Sequence, residues 1–157
     1  MAQNVEPIPN PQAPLTPYLC IKGADKAIEF YKKALGAEEL FRMADPSGKI
    51  GHAEIRVAGA NLMLCDEYPE MNVRSPESIG GNPITLHLYV KDVDAFTERA
   101  VKAGMTVERP VSNQFYGDRG GKFNDPFGYA WWISTHVEDV STEELKRRAQ
   151  LEFQKKQ

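Results

Sequence analysis

Among the residues whose side chains can bind metals or transfer protons, three lie in strand-like stretches where they could face a cavity, and two of these are spaced to act together. His52 and Glu54 are two positions apart in a stretch that alternates polar and apolar residues, so on a strand they share one face. His87 lies in a second strand-like stretch, two positions after Thr85. Imidazole and carboxylate groups bind divalent metals, and a neutral imidazole is also a general base. His52, Glu54 and His87 could therefore form a metal site; alternatively His87 binds a ligand, acts as a base, or is only a hydrogen-bonded pocket or core histidine.

The segment of residues 114–121, QFYGDRGG, combines two aromatic residues, an acid, a base and three glycines in a predicted hairpin. In one interpretation it is a lid: Phe115 and Tyr116 cover an aromatic or amphipathic ligand, and Arg119 meets a carboxylate or phosphate. In the other it is only a tight hairpin in which Asp118 and Arg119 pair on the surface. Both interpretations remain open at the level of sequence.

Composition excludes several classes of function. Of 157 residues, 41% are hydrophobic and 26% charged, and the formal net charge is −3, so neither nucleic acid nor an anionic membrane is an expected partner. We expect one domain, with no membrane span and no signal peptide. Cys20 and Cys65 lie in apolar stretches and are expected to be buried thiols of a cytoplasmic protein rather than a disulfide.

Periodicity and turn residues predict the same order of elements twice, a strand, a helix and three strands. In the first half these elements are predicted at 16–21, 25–35, 39–43, 52–57 and 61–66. In the second half they are predicted at 84–90, 93–103, 106–111, 121–124 and 129–134. The second helix is expected to face inward with Val93, Phe96, Ala100 and Val101.

The two halves are related by a nearly constant offset. Gly36 and Gly104, which end the two helices, are 68 residues apart, and so are Ala27 and Ala95. The turn residues Gly59 and Gly128 are 69 apart, so one residue is inserted between. A recurring order of elements with turn glycines in register indicates a duplicated unit.

Three further segments flank or connect the halves. Residues 1–15 form a Pro-rich arm, and residues 67–83, rich in Pro and Gly, form a linker. Residues 139–157 contain a polar helix that begins with a capping box from Ser141 to Glu144. The arm and this helix could clamp a symmetric homodimer, which is the expected assembly.

Three stretches carry a family resemblance, beginning with TPYLCIKGADKAIEFYKKALGAEELFRM. The others are HAEIRVAGANLMLCDEYPE and GGKFNDPFGYAWWIS, whose Asp-Pro-x-Gly precedes the last strand. Together they resemble the PhnB-like branch of the glyoxalase/bleomycin-resistance (vicinal oxygen chelate) superfamily. The resemblance implies an α+β fold in which two βαβββ modules form a half-barrel cavity. It places one such domain at 16–138, with module one at 16–66 and module two at 84–138.

The resemblance also implies four cavity positions that in enzymes of this superfamily bind one divalent metal through His or Glu. Carried over to this chain, they fall on Thr16, Met63, Thr85 and Trp132. None of these side chains is a competent ligand for zinc, nickel or iron. We therefore expect no metal and no other cofactor at this position.

These considerations favour metal-free binding of a small hydrophobic or aromatic molecule in the cavity. Trp131 and Trp132 must point to opposite faces of one strand, and the register assigns Trp132 to the cavity. The predicted substrate-binding residues are Met63, Tyr89, Phe115, Tyr116, Arg119, Trp132 and His52, and the catalytic candidate is His87. The alternative is a metal-dependent lyase, isomerase or dioxygenase that uses His52, Glu54 and His87, and a third possibility is a metal-free enzyme with His87 as its base.

Overall fold

A computed structural model describes residues 6–9 and 12–155 of the chain. The chain divides into two compact units, Met1–Gly81 and Asn82–Gln157, which we call the first and second units. The division falls inside the segment predicted as the linker. The predicted arm of residues 1–15 lies partly outside the described residues.

The first unit is a four-stranded mixed sheet with one long helix. Its strands follow the order β1-β4-β3-β2, with β1 parallel to β4 and the other neighbours antiparallel. The elements are β1 (Tyr18–Cys20), α1 (Ala24–Leu35), β2 (Glu38–Ala44), β3 (Ile50–Val57) and β4 (Ala60–Cys65). The sheet is open and does not close into a barrel.

The second unit repeats this topology, with the strand order β5-β8-β7-β6. Its elements are β5 (Thr85–Tyr89), α3 (Val93–Ala103), β6 (Thr106–Asn113), β7 (Asp118–Asn124) and β8 (Ala130–His136). β5 pairs parallel to β8 as β1 pairs to β4. The predicted α+β fold of two βαβββ modules is confirmed.

The strand register reproduces the offset found in the sequence. Tyr18 lies opposite Met63 in the first unit, and His87 lies opposite Trp132 in the second. Both members of the second pair are 69 residues beyond those of the first, so the duplication extends to individual strand positions.

Each long helix buries one stripe on its sheet. The stripe of α1 comprises Ala24, Ala27, Ile28, Tyr31, Ala34 and Leu35, and the helix ends at Gly36 in the left-handed conformation, as predicted. In α3 the buried residues are Val93, Thr97 and Ala100. The prediction for Val101 was wrong, because this residue lies at the edge of the stripe and is 39% exposed, and Phe96 is only partly buried. Thr97 can lie in the centre of this buried stripe because its hydroxyl donates a hydrogen bond to the Val93 carbonyl. This bond offsets the free-energy cost of burying a polar side chain.

The segment between the two sheets contains local structure that the sequence did not predict. It forms a one-turn 3₁₀-helix at Pro69–Met71 and the short helix α2 (Pro76–Ile79). The Glu67 carboxylate fixes this segment, since it accepts from the Ser75 backbone N–H at 2.8 Å. Hydrogen bonds from Ser78 and Ser75 lower the pKa of Glu67 to about 2.

The last helix, α4 (Thr142–Gln154), begins as predicted, with the Ser141 hydroxyl accepting from the Glu144 backbone N–H. It buries no residue completely, and Leu151 and Phe153 are exposed. Among the described residues, no helix has the length and apolar character needed to cross a membrane.

Candidate functional site

The face of the first sheet opposite α1 carries a chain of hydrogen-bonded polar side chains. Strand alternation buries Ala53, Ile55 and Val57 toward the helix and turns His52 and Glu54 to the other face. His52 Nε2 lies 3.2 Å from Glu54 Oε1, and His52 Nδ1 lies 2.8 Å from the hydroxyl of Tyr18. The shared face predicted for His52 and Glu54 is therefore observed, and Tyr18 joins them from β1, across the intervening strand β4.

One residue of the Pro-rich arm completes this chain. Gln12 Nε2 donates to the second carboxylate oxygen of Glu54 at 2.6 Å. The described end of the arm thus lies on its own unit.

A groove of about 460 Å³ lies next to this chain of side chains. Four of its wall residues lie on strands: Tyr18 and Cys20 on β1, Gly51 on β3 and Cys65 on β4. The other three follow β4 and are Tyr68, Met71 and Val73. The Lys49 ammonium lies 3.9 Å above the centre of the Tyr68 ring, which fixes that wall by a cation–π contact. The volume falls in the range that holds small organic ligands.

The two cysteines face this groove from neighbouring strands. Cys20 and Cys65 lie opposite each other in the parallel β1–β4 pair and are free thiols, as predicted. Cys65 is buried as expected, whereas Cys20 is only partly buried. Burial raises the pKa of Cys20 to about 12 and also raises the pKa of Cys65. Both therefore remain neutral thiols near pH 7 and act as weakly polar walls rather than as nucleophiles or metal-binding thiolates.

The strand register shows which residues lie opposite the four positions inferred for a family metal site. Thr16 precedes β1, and the residue opposite Met63 is Tyr18. Thr85 lies opposite Ala130, while His87 lies opposite Trp132. The pairs that include Met63 and Trp132 supply a phenol with a thioether in the first unit, and one imidazole with an indole in the second. Neither pair is a donor set that holds a borderline divalent ion.

Among residues 6–9 and 12–155, no three His, Cys, Asp or Glu side chains are grouped so that they could hold a metal ion. Both ring nitrogens of His52 are already engaged by Tyr18 and Glu54.

The open face of the second sheet is built from β5, β7 and β8. His87 and Tyr89 stack with their ring centroids 4.7 Å apart, and both side chains are exposed. Trp132 is half-buried beside His87, whereas Trp131 is buried on the helix side, as strand alternation predicted. This face thus presents two stacked rings and an indole.

A buried carboxylate anchors the other end of this face. Asp118 is 3% exposed, accepts from the Tyr89 hydroxyl at 2.7 Å, and lies 2.8 Å from His136 Nδ1. His136 Nε2 lies 2.9 Å from Asp139. Hydrogen bonding to Asp118 raises the pKa of Tyr89, and hydrogen bonds to Asp139 and Asp118 raise the pKa of His136.

Arg119 does not join this face. Asp118 and Arg119 are neighbours on β7 and point to opposite sides, so they do not form the predicted surface pair. The Arg119 guanidinium instead makes two hydrogen bonds to Asp94 at the start of α3, at 2.7 and 2.8 Å. The structure thus separates Arg119 from the aromatic residues with which the sequence grouped it.

The tip of the predicted hairpin is a turn that forms a hydrogen bond with the last helix, α4. Phe115 and Tyr116 meet edge to face at 5.3 Å, and the Phe115 carbonyl accepts from Arg148 of α4. Arg148 is itself fixed by two hydrogen bonds to Glu138. These contacts tether the turn to the last helix.

Sequence reasoning missed the groove walls Tyr68, Met71 and Val73, as well as the roles of Tyr18 and Asp118. Tyr18 could have been found, because strand alternation puts it on one face with Cys20. The linker residues follow no strand or helix period, so only their fold onto the sheet reveals them.

Comparisons with known proteins agree with this architecture. The family model of the Glyoxalase/Bleomycin resistance protein/Dioxygenase superfamily matches residues 15–133. An uncharacterized protein of Mycobacterium bovis is 43% identical over 149 residues, covering 93% of this chain and 94% of that protein.

Two solved structures are similar in fold. The crystal structure of TioX from Micromonospora sp. superimposes with a TM-score of 0.62 at 21% identity, covering 82% of this chain and all of that one. The PhnB protein of Bacillus cereus superimposes with a TM-score of 0.60 at 18% identity, covering 78% of this chain and 99% of that one.

The duplicated βαβββ topology, the register of its paired strands and a family match over most of the length lead to one conclusion. The chain belongs to the Glyoxalase/Bleomycin resistance protein/Dioxygenase superfamily.

Proposed function

We propose that the protein binds a small hydrophobic or aromatic molecule, without a metal ion, in the groove of the first unit. The observation that carries the proposal is the groove of about 460 Å³ between the sheet and the segment after β4. Its walls offer two phenol rings, two neutral thiols and aliphatic side chains. Such walls suit a flat apolar ligand, because aromatic and sulfur groups adapt to its surface by dispersion contacts.

The chemistry of the available donors supports the metal-free part of the proposal. The register pairs Tyr18 with Met63, so the strand positions that should bind a metal in the first unit offer no imidazole or carboxylate. Burial raises the pKa of both thiols, so a divalent ion would have to displace their protons in order to bind near neutral pH.

The PhnB-like branch is the narrower assignment that we propose within the superfamily. It is supported by the three sequence stretches that resemble that branch and by the fold shared with the Bacillus cereus protein.

A variant that narrows the groove tests the proposal. A Cβ at Gly51 would lie 3.7 Å from the Tyr68 hydroxyl and 3.8 Å from Met43, so a side chain fits there without a backbone clash. Gly51→Val should weaken binding of 2-naphthol about tenfold or more, measured by fluorescence titration. The control is Ala60→Val, which also introduces a valine, but at an exposed position of β4 that does not line the groove.

Equal affinities for the wild type, Gly51→Val and Ala60→Val would contradict binding in the groove. Metal analysis of protein purified without a chelator gives an independent check. Stoichiometric zinc, nickel, iron or manganese that is lost in His52→Ala or His87→Ala would favour the metal-dependent lyase, isomerase or dioxygenase.

A further inference from the structure

The hydrogen-bond chain beside the groove has a direction that follows from its chemistry. Near neutral pH a glutamate is ionised, and an ionised carboxylate only accepts hydrogen bonds. Glu54 receives one bond from Gln12 and faces His52 Nε2 at 3.2 Å. The His52 proton must therefore lie on Nε2, so that it can be donated to Glu54.

This tautomer determines what Tyr18 can do. A neutral imidazole with its proton on Nε2 has an unprotonated Nδ1, which only accepts. Tyr18 must then donate its hydroxyl proton to His52 Nδ1 across 2.8 Å. The Tyr18 hydroxyl also neighbours the Cys65 thiol. With its proton donated to His52, the Tyr18 oxygen has no second proton to offer, and it can only accept, from that thiol or from a ligand.

The position of Tyr18 makes this property available to a ligand. Its ring lines the groove, and the residue is 53% exposed. The ring stands edge-on to His52, with an interplanar angle of 84°, which holds the hydroxyl in place. Tyr18 thus presents an oriented acceptor at an otherwise weakly polar groove.

The second unit shows that this arrangement is not a general feature of the fold. Glu54 lies opposite Met63, and Lys122 lies opposite Trp132, which makes Lys122 the counterpart of Glu54. Two residues earlier, Gly120 is the counterpart of His52. At the positions that correspond to Tyr18, His52 and Glu54, the second sheet therefore carries no Tyr–His–Glu chain.

We propose that Tyr18, oriented by His52 and Glu54, selects groove ligands that carry a hydrogen-bond donor, such as aromatic molecules with a hydroxyl or N–H group. This inference rests on the proposed function and narrows its ligand class. Tyr18 contacts the ligand, and His52 and Glu54 are positioning residues. A ligand that offers only an acceptor places a lone pair against a lone pair of the Tyr18 oxygen and forms no hydrogen bond with it, which disfavours that ligand.

Matched probes test the inference. At about pH 8, where imidazoles are generally neutral and phenols protonated, 2-naphthol donates a hydrogen bond, whereas 2-methoxynaphthalene only accepts. The wild type should bind 2-naphthol about tenfold more tightly than 2-methoxynaphthalene. Tyr18→Phe should reduce this ratio to about one and retain binding of both probes.

A second variant tests whether His52 orients the Tyr18 hydroxyl or only packs against the Tyr18 ring. In His52→Phe the Tyr18 hydroxyl is released, so it can donate to the methoxy oxygen. Binding of 2-methoxynaphthalene should then rise and the ratio should fall, whereas a merely structural role for His52 would weaken both probes alike.

The outcomes distinguish the two proposals. Equal binding of the probes to the wild type, or an unchanged ratio in Tyr18→Phe, would overturn the selection by Tyr18 while leaving groove binding intact. Failure of the wild type to bind either probe would overturn the proposed function, and the inference with it. A wild-type ratio near ten that is lost in both variants is the expected result.

Discussion

The two open sheet faces share one backbone register and differ in almost every side chain that could meet a ligand. Tyr18, Met63 and His52 of the first unit correspond to His87, Trp132 and Gly120 of the second. The first face offers a groove and a Tyr–His–Glu chain. The second offers stacked rings and a buried aspartate. Duplication has kept the pairing of strands and left the chemistry of each face free to change.

The residue that accepts hydrogen bonds from the start of the long helix also differs between the two units, although it lies at the same register position. Asp66, just after β4, accepts from the backbone N–H groups of Gly23, Ala24 and Ile50. Its counterpart 69 residues later is Thr135, which accepts from the Val93 N–H and donates to the Val90 carbonyl. In both units the backbone N–H groups at the start of the helix need a hydrogen-bond acceptor. The Asp66 carboxylate accepts three hydrogen bonds, whereas the Thr135 hydroxyl accepts one and donates one.

The largest expected effect comes from removing these anchors. Asp66→Ala leaves two buried N–H groups and a partly buried one without an acceptor, and it should lower the free energy of unfolding by about 3 kcal/mol or more. Thr135→Val keeps the side-chain shape and should cost about 1 kcal/mol. Urea unfolding followed by circular dichroism measures both losses.

The control for Asp66 is Asp45→Ala. Asp45 also accepts three hydrogen bonds, from the Ser47 N–H, the Ser47 hydroxyl and the Lys49 N–H, but in an exposed turn. Water can replace that carboxylate, so the loss should stay below about 1 kcal/mol. Equal losses in Asp66→Ala and Asp45→Ala would refute the role of burial.

A smaller difference in stability is expected between alanine substitutions at two strand glycines, Gly120 and Gly51. A Cβ at Gly120 would overlap with Ser134 Oγ and lie 2.8 Å from the Ile133 carbonyl oxygen. Gly120→Ala should therefore destabilise the protein by about 2 kcal/mol. A Cβ at Gly51 meets only ordinary contacts, so Gly51→Ala should change stability by less than about 1 kcal/mol.

Thermal melting of the two glycine variants makes this comparison. A Gly120→Ala protein as stable as Gly51→Ala would mean that the second face has room for a side chain at the position of His52. The absence of a Tyr–His–Glu chain there would then have no steric cause.

The smallest effect concerns pH. Because Asp139 and Asp118 raise the pKa of His136 above its ordinary value of 6.5, the folded state favours the charged imidazole. This stabilisation is fully present below about pH 6.5 and is lost as the pH rises through the raised value. The stability difference between the wild type and His136→Gln should therefore shrink between about pH 6 and pH 8.

Salt supplies the control for this last prediction. His136 is exposed, so screening at high ionic strength should reduce the difference at low pH. A difference that is independent of both pH and salt would show that His136 acts only through packing.

Most of the fold could be predicted because its signals are local. The stripe of α1, the stop at Gly36 and the cap at Ser141 each depend on residues within a few positions. Parts of the site could not be predicted for the opposite reason. Asp118 and Arg119 were grouped by their proximity in sequence, yet a strand separates neighbours by face and assigns them to different partners. The groove walls from Tyr68 to Val73 carry no periodic pattern.

The sequence by itself determined the duplicated order of elements and the 69-residue register, because apolar periodicity and turn residues act over short distances. The family was indicated separately, by the resemblance of three stretches of the sequence. It also determined that His52 and Glu54 share a face. Only the tertiary structure decided that Tyr18 reaches His52 across β4, that the segment after β4 forms a groove, and that Arg119 pairs with Asp94. These contacts join residues that are distant in sequence, and packing and strand register select among many chemically equivalent partners.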